Sequence, residues 1–467
     1  MMKIIFKLGA ICLALMHLLN IGGSIVPGWL MSVASAAMLI PGLSLISSGF
    51  KKATIIFLAL GAAILLATKQ PIEQWISAWN SMTNTVAIMV AMQLIAIPVS
   101  MGRYDLSICE WAERRVRSRK SLFVFSNLIP HILASFLNMG AIPLSFNLMG
   151  KTIRSRMSQE EADRFMSISL SRGYVLAALW APPAINLYLV VQATGVAWSA
   201  LLLPGIVLAL IGFGLTYWME TWKGGVLQKE SENSAGEGRT KRPQSRRLIT
   251  REDRALLHVI VVAVSIVGIV FALEKIGIEQ AYTRIMLAGI IVTFVWTLLV
   301  FDKRAFSNAV REYWEDGLLK VRDMGPFFVA MGIFSGALES SGILKLISPS
   351  IQSAASWLGI LSVAILPLIM IALSVVGFHP FITIVLFGKI LAATPMPIPL
   401  LSIALSLAVG GAAAYMISPF AGIIMSISRY TGAKASQISV RWNGKYGIAL
   451  FFIGVIFSIG WGALAGR

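Results

Sequence analysis

Two short stretches concentrate residue types that hold an ion or a polar solute without a metal. The first reads Ser135-Phe136-Leu137-Asn138-Met139-Gly140, and the second Ser374-Val375-Val376-Gly377-Phe378-His379-Pro380. Hydroxyl, amide and free backbone groups at such points can bind a cation or a substrate. Ser, Asn and Gly also close helices, so a plain capping turn is the competing reading of both. Two further points interrupt apolar runs: Pro182-Pro183 with Asn186, and Ser418-Pro419 with Gly422. A break there frees carbonyl oxygens for cations and starts a new helix whose N–H groups suit anions. The alternative is a simple kink.

Arg172 lies within an apolar run, in Ser169-Leu170-Ser171-Arg172-Gly173. A membrane arginine costs about 3 kcal/mol or more, which makes it a candidate counter-ion for an anionic substrate. Snorkelling to the interface is the other reading. His379 can donate to a carboxylate or carry a proton, or else cap a turn. The expected binding set is Ser135, Asn138, Gly140, Arg172, Pro183, Asn186, Ser374, Gly377, His379, Ser418 and Pro419. No catalytic residue is expected, because paired acids or a His/Asp set are missing from the pattern. Two separated cysteines and four scattered histidines suggest no resident metal or cofactor, with sodium as a possible coupling ion. Glu339 is the only acid placed within a span.

The elements that must position these residues follow from composition. The chain has 467 residues, 57% apolar and only 13% charged, with a net charge of +18. Such apolar content excludes disorder, and a nucleic-acid binder would carry its basic residues on a polar domain. The expected fold class is an all-α polytopic membrane protein with 11 transmembrane helices plus two re-entrant hairpins in an inverted repeat. Spans are expected at 4–20, 24–47, 53–68, 85–101, 165–192, 197–217, 255–273, 285–301, 326–343, 399–427 and 446–465. The hairpins are 121–150 and 354–393, each broken at one of the two polar stretches.

Basic residues orient this arrangement. With both hairpins re-entrant and the N-terminus inside, 32 of the 39 Lys and Arg fall in cytoplasmic segments and five outside. That places the chain in the cytoplasmic membrane, N-terminus cytoplasmic and C-terminus outside. Lys389 is the other basic residue within the membrane; both it and Lys151 end a hairpin arm, where neutralising a helix C-terminus is the expected role. The 219–254 stretch reads as a mobile basic linker. Stretches 70–83, with Trp75 and Trp79, and 305–322, with Trp314, read as interfacial arms.

A weak internal repeat runs through the chain. Val90-Ala91-Met92 recurs as Val329-Ala330-Met331, Pro143 as Pro380, Pro183 as Pro419, and Thr194-Gly195 as Thr431-Gly432. The divisions expected are an extra helix in 1–23, a first half 24–218, the linker 219–254 and a second half 255–467. An odd number of crossings per half makes the repeat inverted, the architecture of secondary transporters.

This layout resembles the ion transporter superfamily: divalent-anion/sodium symporters, citrate carriers, arsenite exporters, some sodium/proton antiporters and the large membrane subunit of TRAP transporters. The symporters' Ser-Asn-Thr triplet does not stand intact at either tip. The resemblance implies a homodimer that moves a small anionic solute by alternating access, a hairpin-bearing domain sliding on a scaffold. It also implies, as alternatives, a TRAP-type permease subunit or a sodium/proton antiporter.

Overall fold

The computed structural model describes residues 1–102, 104–116, 118–222, 226–227, 251–392 and 398–465. Helices make up the fold, with no strand among the described residues. Eleven helical stretches are long and apolar enough to cross a bilayer. The chain is a multi-pass membrane protein.

The number agrees with the sequence expectation, but the members differ. Arg119–Leu137 and Gln352–Val376, first arms of the two expected hairpins, are among the eleven. The segment expected at 326–343 is a helix of 17 residues, and 165–192 is two helices rather than one. The reason lies in the broken segments, where proline and polar residues divide apolar runs into pieces of unequal length.

The chain begins with α1 (Met2–Leu19), α2 (Gly28–Leu45), α3 (Ser48–Ala67), α4 (Ile72–Asn80), α5 (Thr83–Gln93), α6 (Ala96–Met101) and α7 (Tyr104–Arg115). Next, α8 (Arg119–Leu137) and α9 (Ala141–Arg154) flank the first polar stretch. Helices α10 (Gln159–Ala177) and α11 (Ile185–Thr194) flank the Pro182-Pro183 break, and α12 (Trp198–Thr221) closes the half.

The order then recurs. Helices α13 (Arg251–Lys275), α14 (Ala281–Leu299), α15 (Lys303–Glu312), α16 (Met324–Ser340) and α17 (Ile343–Leu358) lead into α18 (Ser362–Val376) and α19 (Pro380–Ala392). Helices α20 (Leu400–Ile417) and α21 (Gly422–Thr431) flank Ser418-Pro419, and α22 (Asn443–Ala465) ends the fold. Helices α9 and α19 have 14 and 13 residues. At 1.5 Å per residue each is about 20 Å long, short of the roughly 30 Å hydrocarbon core.

The repeated Thr-Gly pair now has a physical cause. Gly195 and Gly432 close α11 and α21 with φ of 71° and 77°, a left-handed turn that favours glycine. Thr194 Oγ1 donates to the Val190 carbonyl and Thr431 Oγ1 to the Ile427 carbonyl. Each hydroxyl also accepts the N–H two residues on.

Packing sorts the helices into two groups. One holds α1–α5 with α13, α14 and α16; the other holds α8–α12 with α18–α22. Within the second group the halves interlock: α19 packs on α11, and α9 on α21. Gly388 sits so close to Ala193 that no side chain fits between α19 and α11.

The stretch with Trp75 and Trp79 holds α4, which packs along α16, with Gly336 against Ala78. One sequence reading needs correction here. The linker is not free from its start: Val226 and Leu227 are buried, with Val226 N–H donating to Glu220 and Arg119 Nε donating to the Val226 carbonyl. The rest of the expected linker, 223–225 and 228–250, lies outside the described residues, as does the Lys389 side chain.

Candidate functional site

A cavity of about 420 Å³ lies between the two helix groups. From the hairpin-bearing group it takes Asn138, Gly140 and Pro143 around the first polar stretch, and Pro183 and Ile185 at the first break. Gly422, Met425, Ser426, Arg429 and Tyr430 present one face of α21 to it. From the other group come Ile88, Met89, Met92 and Gln93 of α5, Ser47 and Phe50 beside α3, and the turn from Asp316 to Met324.

Two helices begin at this cavity. Helices α11 and α21 start at Ile185 and Gly422, and neither has a side-chain cap at its N-terminus. Their first-turn N–H groups carry partial positive charge. The rim adds Lys320, Arg322 and Arg429, none of them paired with a carboxylate among the described residues, against Asp316 and Asp323. Asp323 Oδ1 already accepts the Ser47 N–H at 2.7 Å.

Asn138 holds the first break. Its Nδ2 donates to the Pro183 carbonyl at 3.2 Å, and its Oδ1 accepts the Tyr174 hydroxyl at 2.7 Å. Its φ of 51° is unusual for a residue with a side chain, and asparagine tolerates it better than most. A second void of about 10 Å³, the size of one water, lies beside it among Tyr174, Asn186, Phe381 and Tyr415. Asn186 is 2% exposed; its Nδ2 donates to the Ala408 carbonyl, while Oδ1 has no partner.

The second half closes on itself instead. Ser418 Oγ donates to the Ser374 carbonyl at 2.6 Å, and Gly377 ends α18 at φ 117°. His379 is 8% exposed, its ring 4.6–5.6 Å from Phe50, Phe327, Phe381 and Tyr415. Nδ1 accepts the Phe381 N–H, and Nε2 has no partner. Pro419 follows Ser418 in the break and does not line the cavity.

Of the eleven expected residues, Asn138, Gly140 and Pro183 line the large cavity, and Asn186 lines the small void with Asn138. Ser135 does not reach either; its hydroxyl donates to the Ile132 carbonyl one turn back. Ser374, Gly377, His379, Ser418 and Pro419 gather at the second break. Arg172 belongs to neither place, and its reading as a substrate counter-ion is corrected. It is 1% exposed and pairs with Glu220 at 2.9 Å. Its Nε donates to Asn443 Oδ1, and its guanidinium lies 4.3 Å from the Tyr446 ring centre. The expectation that Glu339 is the only acid within a span falls with it, because Glu220 is buried in the last turn of α12.

Sequence reading missed Lys320, Arg322, Arg429, Tyr430 and the cavity methionines. A signal existed for α21: Gly422, Met425, Ser426, Arg429 and Tyr430 recur at helical spacing directly after the break.

No family profile matches the chain, and no curated protein is similar to it in sequence. Among solved structures, it is similar to the YdaH transporter of Alcanivorax borkumensis, described by its crystal structure as having an unusual topology. The likeness has a TM-score of 0.56 at 13% identity, covering 89% of this chain and 98% of that one. At that identity the likeness is one of fold.

Proposed function

We propose that this protein is a secondary active transporter that carries a small anionic solute across the cytoplasmic membrane by alternating access. The observation that carries the reading is the 420 Å³ cavity between two helix groups, lined by the starts of two helices without side-chain caps and by three cations that pair with no carboxylate among the described residues. A positive site of that kind favours a negative solute. The fold shared with a transporter supports the same reading.

In this reading α9 and α19 are second arms of re-entrant hairpins, since each is too short to cross. The hairpin-bearing group moves against the other, and the large cavity is the inward-facing entrance. Its charged rim lies in segments 302–325 and 428–445, both cytoplasmic by the distribution of basic residues. The aromatic cluster around His379 is then the closed outer side. Sodium or protons supply the driving gradient, and the working unit is a homodimer.

The test is a thermal-shift screen of the purified protein against carboxylates and oxyanions, with and without sodium. Anion-dependent stabilisation is expected, and Arg429→Gln should weaken it. Stabilisation by no anion, together with sodium/proton exchange in vesicles, would sink the reading.

A further inference from the structure

We infer that Ser199 is a positioning residue for transport: it is the moving half of an outer latch whose fixed half is Glu274 with Arg284, and this latch sets how often the cavity opens outward. The inference rests on the transport reading above and adds to it the device that holds the inward-facing state.

Three observations lead to it. The first is the contact itself. Ser199, in the first turn of α12, donates its hydroxyl proton to Oε1 of Glu274, in the last turn of α13. Helix α12 belongs to the hairpin-bearing group and α13 to the other, so this hydrogen bond crosses between them. A second, from Gln192 Nε2 to the Ser81 carbonyl at 3.5 Å, crosses from the last turn of α11. The second observation is the side. In the transport reading the turns at 193–196 and 274–284 are external, opposite the charged rim of the cavity. The third is what each partner is fixed to. Trp198, next to Ser199, is buried, and its Nε1 donates at 3.0 Å to the carbonyl of Trp180 in the first break. Gly205 lies so close to the Leu179 carbonyl that no side chain fits between α12 and that break. The start of α12 is therefore tied to the break beside the cavity and moves with it. Across the interface, Arg284 is 5% exposed, and its Nη1 lies 2.8 Å from Glu274 Oε2.

The arrangement divides one carboxylate between two tasks. Oxygen Oε2 stays with Arg284, within the same helix group, in either state of the cycle. Oxygen Oε1 meets Ser199 only when the outer ends of the two groups are together. Outward opening thus breaks a hydrogen bond without stranding a charge, as a cross-group ion pair would. A hydrogen bond to an ionised group at a half-buried site shifts a two-state equilibrium by roughly tenfold. The latch is strong enough to favour the inward-facing state and weak enough to release in every cycle.

The experiment follows labelling of Ser426→Cys, a position that lines the cavity, in the full-length protein with Cys12→Ser and Cys109→Ser as background. A membrane-impermeant maleimide added to intact cells reaches that cysteine only when the cavity opens outward. Ser199→Ala should raise the external labelling rate roughly tenfold. Ser199→Thr keeps the hydroxyl and should hold the background rate. In inside-out vesicles every variant should label rapidly, because the inward-facing state still dominates. A measurable external rate that Ser199→Ala leaves unchanged, whatever its unfolding midpoint, would overturn this inference and leave alternating access standing. An equal rise in Ser199→Thr would overturn it as well. Labelling from the cytoplasmic side alone in every variant would overturn both.

Discussion

Each half ties its broken helix to its own polar turn, but the two ties run in opposite directions. In the first half the turn donates to the break: Asn138 Nδ2 reaches the Pro183 carbonyl. In the second half the break donates to the turn: Ser418 Oγ reaches the Ser374 carbonyl. The surroundings differ to match. Asn138 opens onto a cavity, whereas Ser374 and Ser418 are fully buried and His379 is packed among rings. Phe50 belongs to both settings, lining the cavity and touching His379. The lesson is that sequence-related elements need not share a state. One copy borders an open cavity while the other is buried.

The largest effect should come from the residue that ties the halves together. Arg172→Met leaves Glu220 buried and unpaired and should cost about 3–5 kcal/mol. Adding Glu220→Leu should recover most of that loss, read as the unfolding midpoint in detergent. A double variant no better than the single would show that the hydrogen bonds to Asn443, not the ion pair, hold the node.

The two ties should then respond unequally. Ser418→Ala removes two hydrogen bonds, its own to the buried Ser374 carbonyl, which keeps the Gly377 N–H, and that from the Phe420 N–H, and should cost about 1–3 kcal/mol. Asn138→Gly, which keeps the positive φ without strain, should cost under about 1 kcal/mol, because cavity water can reach the Pro183 carbonyl. Equal losses would remove the contrast between a wet half and a dry one.

A smaller effect separates packing from binding at the second break. His379→Phe deletes the unpartnered Nε2 but also the Nδ1 acceptor of the Phe381 N–H, and keeps the ring contacts, so stability should change by about 1 kcal/mol or less. A clear fall, joined to loss of the anion-induced shift, would make the ring cluster a binding site. Finally, with Cys12→Ser and Cys109→Ser as background, Ser426→Cys should react readily with a water-soluble maleimide, whereas Ser374→Cys should be protected. Neither should move stability much. Equal labelling would break the comparison.

Much of the fold was legible because apolar runs and proline breaks are local signals. The Thr194-Gly195 and Thr431-Gly432 pairs marked related helix ends for a reason now visible in their backbone angles. The site was legible where it lies at a break, at Asn138, Gly140 and Pro183. It was illegible where function and orientation share a residue type. Lys320, Arg322 and Arg429 were absorbed into the tally of cytoplasmic charge, which counts residues and discards where they point. Arg172 was misread for a different reason. One partner, Glu220, stood where a span was thought to end, and another, Asn443, lies 271 residues away.

That separation sets an order on the making of the protein. Helix α10 is synthesised with Arg172 well before α12 supplies Glu220, and before nearly all of the second half has been made. Asn443 and Tyr446 arrive on the last helix of the fold. An uncompensated arginine settles poorly in lipid. Helix α10 is not among the eleven stretches long and apolar enough to cross a bilayer, so its place depends on the helices packed around it. Helix α22 therefore completes this node: without Asn443 and Tyr446, Glu220 alone of these three partners is left to Arg172.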